Sequence, residues 1–134
     1  MEFFAEANFS TDETALQQAL SLRQLSGLCA SIERVLRDEG EHGLIYCVWG
    51  EFPVRREVIK GGVRFTLPTC PNALAWTITT DPAPDPGKVV IHCTINRQAH
   101  DADFIESIEN FVQDWKQGLE ARQGVRGAAT ASGR

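Results

Sequence analysis

The chain has 134 residues, a mass of 14.8 kDa, 43% hydrophobic and 23% charged residues, and a net charge of −5. This length predicts one domain over residues 1–122, followed by a tail at 123–134 whose small and polar residues are expected to be disordered. The acidic balance disfavours nucleic-acid backbones and anionic membrane surfaces, so neither is a predicted partner.

A helical region is predicted from Ser10 to Glu39, opened by a capping box in which Ser10 and Glu13 bond each other's backbone amides. One apolar stripe at helical spacing is formed by Leu25, Cys29, Ile32 and Leu36. Leu16 and Leu20 point away from that stripe on an ideal helix, so a break or bend is predicted near Ser26-Gly27. Gly40 is the expected left-handed residue after the last turn.

Five strands are predicted to follow, joined by connections too short for parallel crossovers, so the sheet is expected to be antiparallel. The predicted strands are Leu44 to Trp49, Val54 to Lys60, Val63 to Leu67, Ala73 to Thr80 and Lys88 to Asn96. Gly61-Gly62 is predicted as a two-residue hairpin turn, which would place Glu57 opposite Thr66 and diagonal to Arg64.

The last three strands alternate between apolar and polar residues, which predicts one buried and one wet face. The predicted buried residues are Val63, Phe65, Leu67, Leu74, Trp76, Ile78, Val89, Ile91, Cys93 and Ile95. The fold class is therefore predicted as α+β, a two-layer sandwich in which a five-stranded antiparallel sheet carries the N-terminal helical region and a C-terminal helix on one face.

The first predicted strand breaks this pattern, because Leu44, Tyr46 and Val48 would point to one side and Ile45, Cys47 and Trp49 to the other. Three covers for the second side remain open: the Phe3-Phe4-Phe9 segment, a second copy of the chain, or a different strand order. This two-sided apolar strand is a signal for self-association or ligand burial.

The closing helix is predicted from a capping aspartate, Asp101 or Asp103, and from an apolar stripe at 3.6-residue spacing. The stripe consists of Phe104, Ile108, Phe111, Val112, Trp115 and Leu119. It is similar to the last helix of small acidic secretion chaperones over some twenty residues. Terminal helices over an antiparallel sheet also occur in frataxin-like and secretion-chaperone-like proteins, which is a likeness of fold only.

The residue pattern predicts no catalytic, cofactor or metal site. His92 lies on the polar sheet face without an evident carboxylate to orient it, as a general base would need. His100, Asp101 and Asp103, together with Glu41 and His42, have no spacing typical of metal ligands, and carboxylates are favoured at a helix start in any case. The four cysteines form no C-x-x-C pair, so free thiols are expected, with Cys70 an inert thiol in a loop.

The residues predicted to bind a partner are those of the polar sheet face: Arg64, Thr66, Thr77, Thr79, His92, Thr94 and Asn96. The first functional hypothesis is a non-enzymatic binding or adaptor protein, a homodimer or a partner of another protein, acting through this face or the edge of the first strand. The alternative is a small-molecule-binding domain or minor enzyme with a pocket between sheet and helices near Trp49, Trp76 and His92. An acidic N-terminus and the lack of an 18-residue apolar run predict a cytoplasmic location.

Overall fold

The computed structural model describes residues 1–80, 87–96 and 100–132, with side chains as far as residue 122. The elements are β1 Glu2–Asn8, α1 Glu13–Ala19, a 3-10 turn at Leu22–Gln24, α2 Leu25–Leu28, β2 Ile32–Asp38, β3 His42–Cys47, β4 Gly50–Ile59, β5 Gly62–Thr66, β6 Ala75–Thr80, β7 Lys88–Thr94 and α3 Ala102–Ser132. The side chains of the predicted tail at 123–134 lie outside the described residues, and its disorder stays a prediction.

The strands form one antiparallel sheet in the order β1-β7-β6-β5-β4-β3-β2. The α+β class, the antiparallel sheet and the C-terminal helix are confirmed, whereas the predicted number of five strands is wrong because the described sheet has seven. The two additional strands, β1 and β2, are its edges. β1 lies beside β7, with Phe4 opposite His92.

The predicted N-terminal helical region is largely wrong. Asp12, not Ser10, caps α1, accepting a hydrogen bond from the Ala15 amide at 2.8 Å. α2 ends at Leu28, so the helix does break in this region, and the chain then enters β2. Apolar residues at helical spacing suggested a helix here, but β-branched Ile32 and Val35 face the core from an edge strand with two register irregularities.

The β4–β5 turn begins one residue earlier than predicted. Lys60 and Gly61 form the turn, with Gly61 at a φ of +86° and Ile59 paired with Gly62. A Cβ on Gly62 would overlap the carbonyl oxygen of Ile78 in β6, so Gly62 serves close strand packing rather than the turn. The register therefore sets Glu57 directly opposite Arg64, and not opposite Thr66.

The core lies between the apolar face of the sheet and the helices. All ten residues predicted for the buried face of the last three strands are buried, which confirms the alternation. From α3, Phe111 meets Trp76 edge to face with ring centroids 4.9 Å apart, and Trp115 stacks 6.3 Å from Phe65. Burial of four large aromatic side chains supplies a substantial share of the apolar stabilisation.

The predicted strand with apolar residues on both sides is β3, and it is not an edge strand of the sheet. β3 lies between β2 and β4, so the edge predicted to bind a partner is already paired on both sides. Ile45 and Cys47 face the core, while Tyr46 and Val48 remain 41% and 57% exposed. Of the three covers considered, a different strand order is the one found, because β2 pairs with the edge of β3 that was predicted to be free. The outer side chains of β3 nevertheless stay exposed.

Candidate functional site

A groove of about 910 Å³ lies where the β3–β4 turn and the start of β2 approach α3. We call it the Trp49 groove. Its lining residues are Ala30, Ser31, Glu33, Tyr46, Cys47, Val48, Trp49, Gly50, Ser107, Asn110 and Asp114. This volume falls in the range of small-molecule sites, and polar and apolar atoms contribute about equally to the exposed surface of the lining.

Two hydrogen bonds connect the β3–β4 turn and the start of β2 to α3, across the groove. The indole Nε1 of Trp49 donates to Ser107 Oγ at 2.8 Å, and Ser107 Oγ in turn donates to the Phe104 carbonyl at 2.6 Å. Ser31 Oγ donates to Asp114 Oδ2 at 2.5 Å. The turn that carries Trp49 therefore has a fixed position on the helix, but a single side-chain bond holds its indole.

Trp49 separates the groove from the aromatic core. Its half-buried ring lies 5.1 Å from Phe111, and Phe111 lies 4.9 Å from Trp76. Trp76 is also 6.4 Å from Trp115. The indole Nε1 atoms of Trp76 and Trp115 are buried and have no acceptor among the described residues. Of these four neighbouring rings, only that of Trp49 lines the groove, and the other three belong to the core.

The ionisable side chains at the groove include two carboxylates and two thiols. Its charged lining residues are Glu33 and Asp114, both acidic. Burial raises the pKa of Cys29, behind the groove, to about 12, and burial also raises the pKa of Cys47. These thiols are therefore protonated at neutral pH, and a thiol is a poor nucleophile compared with its thiolate.

A larger groove, of about 1160 Å³, lies between α1 and the β4–β5 turn. It extends to Thr79 and Thr80, and the described chain stops at Thr80 and resumes at Gly87. Its polar wall includes Glu13, whose carboxylate accepts a hydrogen bond from the Gly61 amide. Glu13 thus has a structural role in joining the two elements.

The residues predicted to bind a partner do lie together on the outer sheet face. His92, Thr77 and Arg64 form one row across β7, β6 and β5. The remaining predicted residues flank this row: Thr94 and Thr66 lie on one side, Thr79 on the other, and Asn96 just beyond β7. Asn96 is exposed and donates to the Pro71 carbonyl at 3.3 Å. No member of this set lines the Trp49 groove.

His92 has a carboxylate partner that the sequence did not predict. Its Nε2 lies 2.9 Å from Glu2 Oε1, and Phe4 stacks on its ring with centroids 4.3 Å apart. Both partners belong to β1, which was not predicted as a strand. The pair lies on an open sheet surface, so it lacks the enclosed site that general-base catalysis needs.

The other predicted candidates are dispersed. His100 precedes α3, with its Nε2 buried and unpaired among the described residues, while Glu41 and His42 lie in the β2–β3 hairpin region. Within the described ranges, no group of three or more His, Cys, Asp and Glu residues is arranged to hold a metal ion. Cys70 is half-buried in the β5–β6 connection.

Trp49 was predicted from the sequence as a pocket residue, whereas Ser31, Ser107 and Asp114 were not. Trp49 is followed by Gly50, which adopts a φ of +112° in the tight turn. A tryptophan beside a turn glycine was the available signal. The sequence around Ser107 and Ser31 contains no such signal, because their hydrogen-bond partners lie 58 and 83 residues away along the chain, respectively.

No protein-family model matches the sequence, and no curated protein matches it. None of the helices in the described part of the chain has the length and apolarity needed to cross a membrane. The fold is nevertheless similar to several solved structures. The protein XoxI from Bacillus cereus has a TM-score of 0.66 and 14% identity, over 90% of this chain and 94% of XoxI.

Two further solved structures have similar folds. A START superfamily protein from Mycobacterium smegmatis has a TM-score of 0.61 and 9% identity, over 91% of this chain and 94% of its own. An uncharacterized protein from Bacillus thuringiensis has a TM-score of 0.58 and 11% identity, over 87% and 97%. At these identities the similarity shows the fold alone: an α+β arrangement of an antiparallel sheet and a C-terminal helix, shared with a START superfamily protein.

Proposed function

We propose that the chain is a small-molecule-binding protein that takes a small ligand with both apolar and polar groups at the Trp49 groove, where the sheet meets the C-terminal helix. The observation that carries the proposal is the groove itself, in which the half-buried ring of Trp49 lies beside the Ser31–Asp114 pair and is fixed to α3 through its 2.8 Å hydrogen bond to Ser107 Oγ. The similarity of fold to a START superfamily protein also favours ligand binding.

The groove offers both ring surfaces and polar groups to a small ligand. Trp49 and Tyr46 offer ring surfaces, while Asn110 and the Ser31–Asp114 pair offer polar groups at the rim. Apolar contact supplies most of the binding free energy in such sites, and a few polar groups fix the orientation of the ligand. The proposed role needs no reaction, in keeping with the protonated thiols around the groove.

Filling the groove with a side chain tests this proposal. Asn110 is exposed on α3 and lines the groove, so Asn110→Trp should occupy the ligand's space without disturbing the core. We expect 2-acetylnaphthalene to bind the wild-type protein at one site in calorimetric titration and to bind N110W at least tenfold more weakly. Gln113→Trp is the matched control, because Gln113 is exposed on the same helix outside the lining. Equal affinity for all three proteins would exclude this groove as the site.

A second candidate function, an adaptor or chaperone-like protein that dimerises through its outer sheet face, is favoured by unpaired charges on that face. The side chains of Arg55 and Arg64 form no hydrogen bond or ion pair with any described residue, even though Glu57 lies opposite Arg64. Glu6 is exposed on β1, at the other side of the same face, next to Glu2, whose carboxylate contacts His92. A twofold axis along the strands near β6 would place β1 of each copy over β4 and β5 of the other, so that opposite charges meet.

Charge reversal at Arg64 tests this second candidate. On the proposed arrangement the wild-type chain forms a dimer at high concentration, and Arg64→Glu shifts it to monomer because acidic β1 then faces a carboxylate. Light scattering coupled to size-exclusion chromatography measures the mass. Arg23→Glu makes the same charge change at an exposed site outside the sheet and should leave the dimer intact. A wild-type monomer at the highest soluble concentration would rule out self-association.

A further inference from the structure

The charged side chains that line the Trp49 groove are acidic on both of its walls. Glu33 comes from β2 and Asp114 from α3, and no Lys, Arg or His is present among the described residues of the lining. The Glu33 carboxylate forms no hydrogen bond or ion pair with any described residue, and that of Asp114 accepts one hydrogen bond, from Ser31. The groove therefore has a negative electrostatic potential, which repels anions and attracts cations.

The preference of carboxylates for a helix start explains only part of this acidity. Residues 101–115, at the start of α3, contain five Asp and Glu residues and no Lys or Arg. Asp103 lies in the first turn, where a carboxylate stabilises the helix dipole. Asp114, however, lies more than three turns beyond Ala102, and Glu33 belongs to a strand. The two carboxylates that line the groove thus have no such structural role.

Aromatic rings line the groove together with the carboxylates. Trp49 is half-buried and held on α3 by its bond to Ser107, whereas Tyr46 is 41% exposed. An aromatic ring face carries partial negative charge, and it attracts an ammonium group by about 0.5–2 kcal/mol, with tryptophan the strongest. Ring faces also bind the apolar part of a ligand, so this combination favours an organic cation.

A metal ion is a poorer match to the groove than an organic cation. Hard metal ions take six or more oxygen ligands or retain several waters, and zinc takes three or four protein ligands. Within the part of the chain that the structure describes, no three His, Cys, Asp or Glu residues are grouped to hold a metal. An ammonium group needs only one or two acceptors and a ring face.

We propose that the ligand of the Trp49 groove is a protonated organic amine with an apolar body. Its ammonium group donates hydrogen bonds to the carboxylates of Asp114 and Glu33, and its apolar body packs on the ring of Trp49. Hydrogen bonds between charged groups are roughly twice as strong as those between neutral groups, so the amine gains affinity over a neutral molecule of the same shape. This inference rests on the proposed function, because it names the class of ligand for the same groove.

Three probes of nearly the same size and different charge test the inference. Each contains naphthalene: 1-(2-naphthyl)ethylamine is a cation at neutral pH, 2-acetylnaphthalene is neutral, and 2-naphthoate is an anion. In calorimetric titration of the full chain, we expect the amine to bind about tenfold more tightly than the ketone, which corresponds to about 1.4 kcal/mol. The naphthoate should bind more weakly than the ketone. Added NaCl should weaken binding of the amine and leave that of the ketone unchanged, since salt screens charge.

Neutral substitutions of the same shape identify the carboxylates that contact the amine. Asp114→Asn can still accept the Ser31 hydrogen bond, and Glu33→Gln changes an exposed side chain. Each should weaken the amine about fivefold, as expected for a partly exposed ion pair, without changing the affinity of the ketone. Glu41→Gln is the matched control, because Glu41 is exposed at the opposite end of β3 and should leave both affinities unchanged.

Two results would overturn the inference and leave the proposed function standing. One is equal affinity of the wild-type chain for the amine and the ketone. The other is an amine affinity that stays at the wild-type value in both D114N and E33Q. Failure of the amine and the ketone to bind at all would overturn the inference and the proposed function together.

Discussion

Replacing Gly118 with alanine should lower the free energy of unfolding by about 3 kcal/mol, because the new methyl group would overlap the backbone of α2. Gly118 lies on α3 directly against the Leu28 carbonyl oxygen, and a backbone atom cannot move aside as a flexible side chain can. In a chain of this size such a loss lowers the melting temperature by roughly 10 °C. Thermal unfolding followed by circular dichroism measures it.

The matched control is the same substitution at Gly27, in α2. A Cβ at Gly27 would meet nothing within 4 Å, and Gly27 is exposed. Because alanine favours helix more than glycine does, Gly27→Ala should leave stability unchanged or raise it by up to about 1 kcal/mol. If both variants unfolded at the wild-type temperature, the close approach of α2 and α3, which positions the Trp49 groove, would be contradicted.

Replacing Trp49 with alanine should weaken binding of 2-acetylnaphthalene at least tenfold, because the variant loses the ring surface that the ligand contacts on entry. It also removes the hydrogen bond to Ser107 and the ring contacts with Phe104 and Phe111. For a half-buried tryptophan we expect stability to fall by about 2 kcal/mol. Calorimetric titration and chemical denaturation measure the two effects separately.

Two substitutions control for the loss of the ring. Trp49→Phe keeps an aromatic side chain and loses the bond to Ser107, so binding should persist while stability falls by about 1 kcal/mol. Val58→Ala shortens an exposed side chain on β4 outside the groove lining, so binding should be unchanged, and such surface changes typically alter stability by less than about 0.5 kcal/mol. Binding by W49A at the wild-type affinity would show that Trp49 is not part of the site.

The sequence predicted the elements whose periodicity was clear. Val63 to Ile95 alternated with a period of two, and Phe104 to Leu119 repeated every 3.6 residues, so their buried faces followed directly. The edge strands β1 and β2 were harder to predict from the sequence. Leu25, Cys29, Ile32 and Leu36 have helical spacing, yet the chain leaves the helix at Cys29, because pairing of β2 with β3 overrides that local pattern.

The candidate site could be predicted only in part. Local residue types drew attention to Trp49 and to the outer face around His92. The partners that complete both sites come from distant segments: Ser107 from α3, and Glu2 and Phe4 from β1. Spacing along the chain carries no information about such contacts. The position of the groove depends on how α3 crosses the sheet, which the amphipathic pattern of the helix does not specify.

Intermolecular nuclear Overhauser effects between bound 2-acetylnaphthalene and the protein test the central claim most directly, since they report which side chains lie within a few ångströms of the ligand. Ligand binding at the groove predicts contacts from the probe to the ring protons of Trp49 and Tyr46. Contacts to Thr77 and His92 on the outer sheet face, with none to Trp49 or Tyr46, would contradict it.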